Sequence, residues 1–262
     1  MDEKEVKKQL SEAKKKRYNG EFAEALAILH QINNDFPQNV TYRYLLASTY
    51  YESMNTEAAQ RYTEEAIKLD ENFKENYELL GDVFEKEGNI DKAIACYEKA
   101  YAFDHQYLAV SEKLIQLYLK TGNYEGVLAH CEEIMSYIPV DAATAKARAL
   151  TSIYFGCNLY KGWALVYLNR YEEAIKEISG RRELHIQTKL PTYPNQYKDD
   201  DEELYKLYIK LNNLPKVKEY KDKLVGEYNY TEEHLKKLEA EANQDIILFR
   251  QRPEVMAQLG LS

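Results

Sequence analysis

Apolar residues between positions 74 and 107 follow two short helical patterns, with the pair Gly88-Asn89 between them. The first pattern places apolar residues on one helix face, at Tyr77, Leu80, Gly81 and Phe84. The second has the same spacing, at Ala93, Ile94, Tyr97, Ala100 and Tyr101. A Gly-Asn pair is typical of a helix stop followed by a tight turn. The stretch therefore predicts two packed antiparallel helices, which the small residues Gly81 and Ala93 allow to approach closely.

The same pattern recurs every 34 residues along the first half of the chain. The turn position is occupied in succession by Gly20, Met54, Gly88 and Gly122. A small residue of the second helix recurs at Ala25, Ala59, Ala93 and Val127, and the repeat ends at Pro37, Glu71, His105 and Pro139. A fixed period of about 20–50 residues is the mark of a stacked-repeat architecture.

These residues give the chain a resemblance to the tetratricopeptide repeat family over about residues 6–141. The residues that carry it are Tyr77, Leu80, Gly81, Phe84, Gly88, Ala93, Tyr97 and Ala100, with Pro37 and Pro139 as terminal prolines of two other copies. The resemblance implies an all-α fold, a right-handed superhelical solenoid of antiparallel helix pairs. We expect five to six repeats and a C-terminal capping helix.

The spacing of the repeats divides the chain into three stretches, which we expect to form one continuous domain. Residues 1–141 hold four regular repeats. Residues 142–188 hold a fifth repeat whose first helix is extended, over 142–168, because the next turn comes at Asn169, later than the period requires. Residues 189–262 hold a long loop, a degenerate sixth repeat and the capping helix.

Three local signals refine the C-terminal half. Two prolines and a polar run predict a loop over residues 186–200, with helix resuming at Asp199. Thr231 is the expected N-cap of the last helix. That helix has an apolar stripe at Leu235, Leu238, Ala242, Ile246 and Phe249, and the tail after it carries Val255, Met256, Leu259 and Leu261. The stripe predicts a closing helix, and the tail is apolar enough for self-docking or oligomer contact.

Composition excludes several classes of function. The formal net charge of −9 argues against nucleic acid, whose binding needs a basic surface. No apolar run reaches the roughly 18 residues that span a bilayer, and the sequence MDEKEVKKQL lacks the apolar core of a signal peptide. Three cysteines without metal-type spacing fit a reducing compartment, so we expect a cytoplasmic protein.

No catalytic arrangement is evident among the residues. The five histidines have no second ligand at metal-binding spacing, and there is no Gly-rich phosphate loop or nucleophile elbow. The expectation is a protein that is not an enzyme and carries no cofactor and no metal.

The candidate site is therefore a surface. The resemblance implies a concave groove lined by the first helix of each repeat. Positions off the packing stripe predict its lining: Tyr44, Ser48, Tyr51, Glu75, Glu78, Asp82, Glu85, Glu112, Lys113, Gln116, Tyr160, Trp163 and Tyr167. The groove is then acidic in the middle and aromatic at both ends. A basic or mixed-charge peptide with aromatic or aliphatic anchors would fit it, whereas a chaperone tail that needs a cationic clamp would not. The alternative is that the acidic stripe is only a solvated helix face.

The leading functional prediction is a noncatalytic scaffold or adaptor that holds a polypeptide segment in this groove. One alternative is a self-associating structural or assembly protein that uses the C-terminal helix and tail. Another is an enzyme built on helical repeats, with the 186–200 loop as a lid. Separately, the first helix is rich in lysine, which could dock an acidic partner or form the solvated face of a capping helix.

Overall fold

The computed structural model describes residues 1–138, 145–188 and 196–243, and every regular element in these ranges is an α-helix. The first seven helices are α1 (Glu3–Tyr18), α2 (Phe22–Asp35), α3 (Val40–Glu52), α4 (Thr56–Leu69), α5 (Lys74–Lys86), α6 (Ile90–Phe103) and α7 (Leu108–Thr121). The rest are α8 (Tyr124–Tyr137), α9 (Ala145–Tyr167), α10 (Tyr171–Thr188), α11 (Gln196–Lys210), α12 (Leu214–Tyr228) and α13 (Glu232–Asn243). None of these helices is both long and apolar enough to cross a membrane.

The chain forms two compact units, Met1–Leu117 and Tyr118–Ser262, whose boundary falls inside α7. In the first unit the helices pack as consecutive pairs, α1 with α2, α3 with α4 and α5 with α6. In the second, α9 packs against both α8 and α10, and α11 packs against both α12 and α13. The predicted all-α fold of stacked helix pairs is confirmed.

The 34-residue period is visible in the backbone of the turns. Gly20, Gly88 and Gly122 have φ values of 76°, 78° and 76°. Met54 occupies the same turn position and adopts the same left-handed conformation, with φ of 66°. Glycine reaches this region without steric cost, whereas a residue with a Cβ atom is strained there. The turn geometry is thus conserved through the repeats even where its usual residue is replaced.

An asparagine follows three of these turns and caps the next helix. The side chains of Asn55, Asn89 and Asn123 accept hydrogen bonds from the backbone N–H three residues later, at 3.1, 3.4 and 3.0 Å. Each bond satisfies a donor that has no partner within the helix. The turn therefore ends one helix and starts the next within three residues.

The α5–α6 pair explains why a glycine lies in the middle of a helix. Gly81 in α5 faces the ring of Tyr97 in α6, and a Cβ atom at position 81 would lie 2.5 Å from Tyr97 Cε1. Tyr97 and Ala93 are both fully buried. The close approach predicted from the small residues is present, and the Tyr97 ring fills the space over Gly81.

In the second unit, α9 is a single helix over Ala145–Tyr167. The sequence predicts this helix over residues 142–168, of which 142–144 lie outside the described residues. Gly156 lies within the helix, which continues on both sides of it.

The two ends of the predicted loop over residues 186–200 are helical, whereas residues 189–195 lie outside the described residues. Helix α10 continues through Gly180 to Thr188, and α11 already begins at Gln196. Two ion pairs join the extended helices. Arg181 pairs with Asp200 in a fully buried contact, and Arg182 pairs with Asp201 at 2.5 Å.

The last helices enclose a small core of Tyr205, Leu224, Leu235 and Leu238. Thr231 caps α13 as predicted, since its hydroxyl oxygen accepts from the His234 N–H at 3.3 Å. The first part of the predicted closing stripe is therefore packed within this unit. The rest of the stripe and the apolar tail lie outside the described residues: Ile246, Phe249, Val255, Met256, Leu259 and Leu261.

Candidate functional site

The predicted groove residues lie on α3, α5, α7 and α9, the first helices of their pairs. In the first unit, nine of them form what we call the first-helix surface: Tyr44, Tyr51, Glu75, Glu78, Asp82, Glu85, Glu112, Lys113 and Gln116. All nine retain some exposure to solvent. Their side chains are joined by ion pairs and hydrogen bonds that cross from helix to helix.

Lys113 of α7 neutralises two carboxylates of α5. Its Nζ lies 3.1 Å from Glu78 Oε1 and 2.5 Å from Asp82 Oδ1. The three side chains are only 20–31% exposed, so water screens these pairs incompletely. Burial alone would lower the pKa of Lys113, but Asp82 and Glu78 raise it above the ordinary value of a lysine. The lysine is therefore fixed in its charged form between α5 and α7.

Two tyrosines donate to the same acidic side chains. The Tyr97 hydroxyl, from α6, lies 2.6 Å from Asp82 Oδ1 and 2.9 Å from Glu85 Oε2. Tyr107, just before α7, donates to Glu78 Oε2. Burial, together with these carboxylates, raises the pKa of both phenols far above its usual value. Both phenols remain neutral donors at neutral pH.

The middle of the first-helix surface is thus less acidic than predicted. Glu78 and Asp82 already have a cation and phenolic donors as partners, and so they are not a bare negative stripe. Glu85 is exposed and accepts only from Tyr97 among the described side chains, and Glu112 is exposed as well. Glu75 is half-buried and forms none of the ion pairs within the described chain. The negative charge available to a ligand lies at these three positions.

The tyrosines of α3 border these carboxylates. Burial raises the pKa of Tyr44, and Glu78 and Glu75 add to the effect. The pKa of Tyr51 is raised in the same way by burial and then by Asp82. Both rings are half-buried, and so each presents part of an aromatic face beside the acidic residues.

Each of these rings contacts a neighbouring side chain. Tyr44 packs edge-on against Phe73 with the ring centroids 5.5 Å apart. Lys86 Nζ lies 4.7 Å from the centroid of the Tyr51 ring, a cation–π contact. A half-buried aromatic ring that already packs against a neighbour loses less entropy when a ligand covers it, which favours its use as an anchor.

Three predicted lining residues are corrected by their burial. Ser48 is 8% exposed, and its hydroxyl donates to the Leu45 carbonyl oxygen at 3.1 Å. In α9, Tyr160 is 5% and Trp163 4% exposed, and their rings pack edge-on with centroids 5.8 Å apart. These side chains lie on the packing faces of their helices. The helical period placed them off the stripe, but an extended helix such as α9 packs on more than one side.

The last predicted residue, Tyr167, lies in the second unit and is half-buried. Its ring stacks on Tyr124 with centroids 4.2 Å apart. The contact joins the end of α9 to the start of α8, so Tyr167 has a packing role within its own unit.

Sequence reasoning missed the polar roles of Tyr97 and Tyr107. The sequence predicts Tyr97 on the apolar face of a second helix, and its ring is buried there. The hydroxyl group itself could have indicated this role. A buried phenol needs a hydrogen-bond acceptor, and the sequence has carboxylates at positions 82 and 85. Within the described residues, no three His, Cys, Asp or Glu side chains are grouped as metal ligands would be.

Comparison with known proteins supports the repeat assignment. A tetratricopeptide repeat family model matches residues 40–73 and 75–106, which are the α3–α4 and α5–α6 pairs. Among curated proteins, none matches the sequence significantly.

Several solved structures share the fold at low sequence identity. A crystal structure of MamA is 20% identical, with a TM-score of 0.52, over 67% of this chain and 95% of that one. A structure of Naa15/Naa10 bound to HypK-THB is 15% identical, with a TM-score of 0.59, over 98% of this chain and 34% of that one. A Podosopora anserina putative kinesin light chain with nearly identical TPR-like repeats is 16% identical, with a TM-score of 0.51, over 71% of this chain and 96% of that one. The chain therefore contains two segments, residues 40–73 and 75–106, that match the tetratricopeptide repeat family model, and it shares the helical fold of these solved structures.

Proposed function

We propose that this protein is a noncatalytic scaffold that binds a polypeptide segment on the first-helix surface. The observation that carries the proposal is the placement of two half-buried tyrosines, Tyr44 and Tyr51, beside carboxylates of α5. Aromatic anchors next to charged groups are the common composition of binding hot spots. The structure of Naa15/Naa10 bound to HypK-THB shows that a similar helical fold occurs in a protein assembly.

The ligand we propose is a basic or mixed-charge segment with aromatic or aliphatic anchors. Its cations would pair with Glu75, Glu85 and Glu112, the carboxylates that Lys113 does not neutralise. Its apolar side chains would cover the exposed parts of the Tyr44 and Tyr51 rings. Charge would contribute mainly to the rate of association and to specificity, and the rings would supply most of the affinity.

The Lys113 network gives this surface a fixed geometry. Because Lys113 joins α7 to α5 and Tyr97 joins α6 to α5, the acidic side chains are held before a ligand arrives. A surface ordered in advance loses less entropy on binding. We propose that the network positions the surface and that a ligand contacts its rim.

The test begins with a displayed library of random peptides selected on the whole protein. The proposal predicts enrichment of peptides that combine Lys or Arg with aromatic or aliphatic residues. The strongest selected peptide is then labelled with fluorescein and titrated by anisotropy against the wild type, Tyr51→Ala and Glu75→Lys. Both variants should weaken binding, each by roughly tenfold, because an anchor of this kind typically contributes more than about 1 kcal/mol.

Glu64→Lys is the matched control. Glu64 is exposed on α4, a second helix, and its replacement by lysine changes the net charge by the same amount as Glu75→Lys. It should leave the affinity unchanged. If Glu64→Lys weakened peptide binding as much as Glu75→Lys, the effect of charge would be a non-specific attraction. Selected peptides whose binding is insensitive to Tyr51→Ala would refute the site.

The cysteine thiols support a proposal about the cellular compartment of the protein. Cys96, Cys131 and Cys157 are free, and burial raises the pKa of Cys96 to about 11, so that thiol remains protonated and unreactive. Free thiols are typical of a reducing environment, and we propose a cytoplasmic location on this basis. Fractionation of cells expressing a tagged full-length chain tests it.

A further inference from the structure

Two buried thiols meet where α8 packs against α9 in the second unit. Cys131 of α8 is fully buried, and Cys157 of α9 is 2% exposed. The two thiols are hydrogen-bonded to each other. Both are free, as is Cys96 in the first unit. We call Cys131 and Cys157 the α8–α9 dithiol.

The aromatic contact at one end of this helix pair explains why the two thiols meet. Tyr124 at the start of α8 stacks on Tyr167 at the end of α9, with the ring centroids 4.2 Å apart. The two helices therefore run antiparallel. Cys131 lies about two turns after Tyr124, and Cys157 lies about three turns before Tyr167, so both reach a similar level of the contact.

A lysine crosses the same contact beside the dithiol. Lys161 follows Cys157 by about one turn of α9, is 9% exposed, and its Nζ lies 3.3 Å from Glu132 Oε1 of α8 and 2.9 Å from Glu177 Oε1 of α10. Burial, followed by the hydrogen bond with Cys157, raises the pKa of the Cys131 thiol well above its ordinary value, whereas the Lys161 ammonium acts in the opposite direction. The chemistry available here depends mainly on the closeness of the two sulfur atoms.

We propose that the α8–α9 dithiol is a reversible oxidation site, at which hydrogen peroxide converts Cys131 and Cys157 into a disulfide that joins the two helices. One sulfur attacks an oxygen atom of the peroxide, the O–O bond breaks, and a sulfenic acid and water form. The second sulfur then attacks the first, the S–S bond forms, and the hydroxyl group leaves as water with the proton of the second thiol. Two thiols are oxidised, and one peroxide is reduced to two waters.

The arrangement favours the disulfide over further oxidation. A sulfenic acid at either position already has a thiol in contact, and condensation with that thiol competes with attack on a second peroxide. Because both sulfurs are buried, we expect the reaction to be slow and to need local opening of the α8–α9 contact. In a reducing compartment the dithiol persists until peroxide outpaces reduction.

The test uses the full-length protein, reduced with dithiothreitol, freed of it and incubated with hydrogen peroxide at about pH 8, where thiolates form more readily. The remaining thiols are alkylated with N-ethylmaleimide in guanidinium chloride. Mass spectrometry of the intact chain and of non-reduced peptides then counts and locates them. The proposal predicts that two of the three thiols are lost to a bond between Cys131 and Cys157 and that dithiothreitol restores both.

Variants identify the partners. Cys131→Ala and Cys157→Ala each remove one member of the pair, and neither should form a disulfide within the chain. Cys96→Ala is the matched control, since Cys96 lies on α6 in the first unit, and should form the Cys131–Cys157 bond at the wild-type rate. Circular dichroism establishes that each variant is folded.

A second measurement needs only the wild type and tests whether the folded structure favours the bond. The protein is equilibrated with reduced and oxidised glutathione, once in native buffer and once in concentrated guanidinium chloride. The equilibrium constant for the disulfide should be at least about tenfold larger in the native protein. The reason is linkage: a disulfide that stabilises the fold is favoured by the fold to the same extent, and typical native disulfides exceed this factor.

Three results would overturn the proposal. All three thiols of the wild type survive peroxide, or the bond that forms involves Cys96 or a second chain, or the glutathione equilibrium is no more favourable in the native protein than in the denatured chain. The proposal is independent of the first-helix surface. None of these results would change the expected effect of Tyr51→Ala on peptide binding, so failure of one proposal is distinguishable from failure of the other.

Discussion

The ring of Tyr97 occupies the space that a side chain at Gly81 would need, with only 2.5 Å between a Cβ atom at that position and Tyr97 Cε1. The same tyrosine carries its hydroxyl to Asp82 and Glu85 on the neighbouring helix. One residue of α6 therefore sets both the spacing of the α5–α6 pair and the position of two acidic side chains on the first-helix surface.

This contact predicts that Gly81→Ala destabilises the protein although alanine favours helices. The added methyl group must displace a fully buried ring, and overpacking of this kind costs about 1–3 kcal/mol. Gly180→Ala is the matched control in α10, where a Cβ atom would meet nothing within 4 Å. It should stabilise by about 0.5–1 kcal/mol. Urea denaturation measures both, and a stabilising Gly81→Ala would contradict the packing described.

The turns between helices provide a pair of substitutions with opposite signs. Met54 adopts φ of 66° in a position that is glycine in the neighbouring repeats. Met54→Gly should stabilise the protein by about 1 kcal/mol, because the left-handed conformation costs a residue with a Cβ atom roughly 1–2 kcal/mol. Gly88→Ala, with φ of 78°, should destabilise by a similar amount. If Met54→Gly and Gly88→Ala changed the free energy of unfolding in the same direction, the two turns would differ in conformation.

The Tyr97 hydroxyl should contribute to stability through its carboxylate acceptors. Tyr97→Phe keeps the ring and removes the donor, and we expect a loss of about 1–2 kcal/mol, as for a hydrogen bond to a charged group. Tyr137→Phe is the control, because its hydroxyl donates to Glu133 at 3.0 Å on an exposed surface and should be dispensable. If both variants unfold at the wild-type urea concentration, the hydroxyl of Tyr97 has no structural role.

Stability should fall at alkaline pH. Burial, followed by the neighbouring Tyr208, raises the pKa of Tyr220 from 10.0 to about 12. A group whose pKa is raised on folding contributes stability below its unfolded pKa and loses it as pH rises to the folded value. The contribution of Tyr220 is therefore complete below about pH 10 and is lost between about pH 10 and 12.

The measurement is the urea midpoint as a function of pH, together with phenolate absorbance of the native protein. Tyr220→Phe should flatten the decline between about pH 10 and 12, since phenylalanine cannot ionise. If the urea midpoint of this variant fell with pH as steeply as that of the wild type, other tyrosines would cause the alkaline instability.

The helices of the first unit were predictable because their signals are local. A 34-residue period places the turns, and the register identifies Met54 as a turn residue although methionine is not a turn former. The asparagines that follow the turns act as helix caps for the same local reason.

The errors arose where distant side chains decide the structure. No local pattern indicates that Lys113 reaches Glu78, 35 residues away, and neutralises part of the predicted acidic stripe. Likewise, no local pattern indicates that Arg181 and Arg182 of α10 pair with Asp200 and Asp201 of α11. Periodicity defines which face a residue lies on, but not what covers that face.

The central claim, that a polypeptide binds across the first helices, is tested most directly by hydrogen exchange of the whole protein with and without the selected peptide. The account predicts slower exchange in α3 and α5 on binding, and unchanged exchange in α4 and α6, the second helices of the same pairs. Protection confined to α4 and α6, or none at saturating peptide, would contradict it.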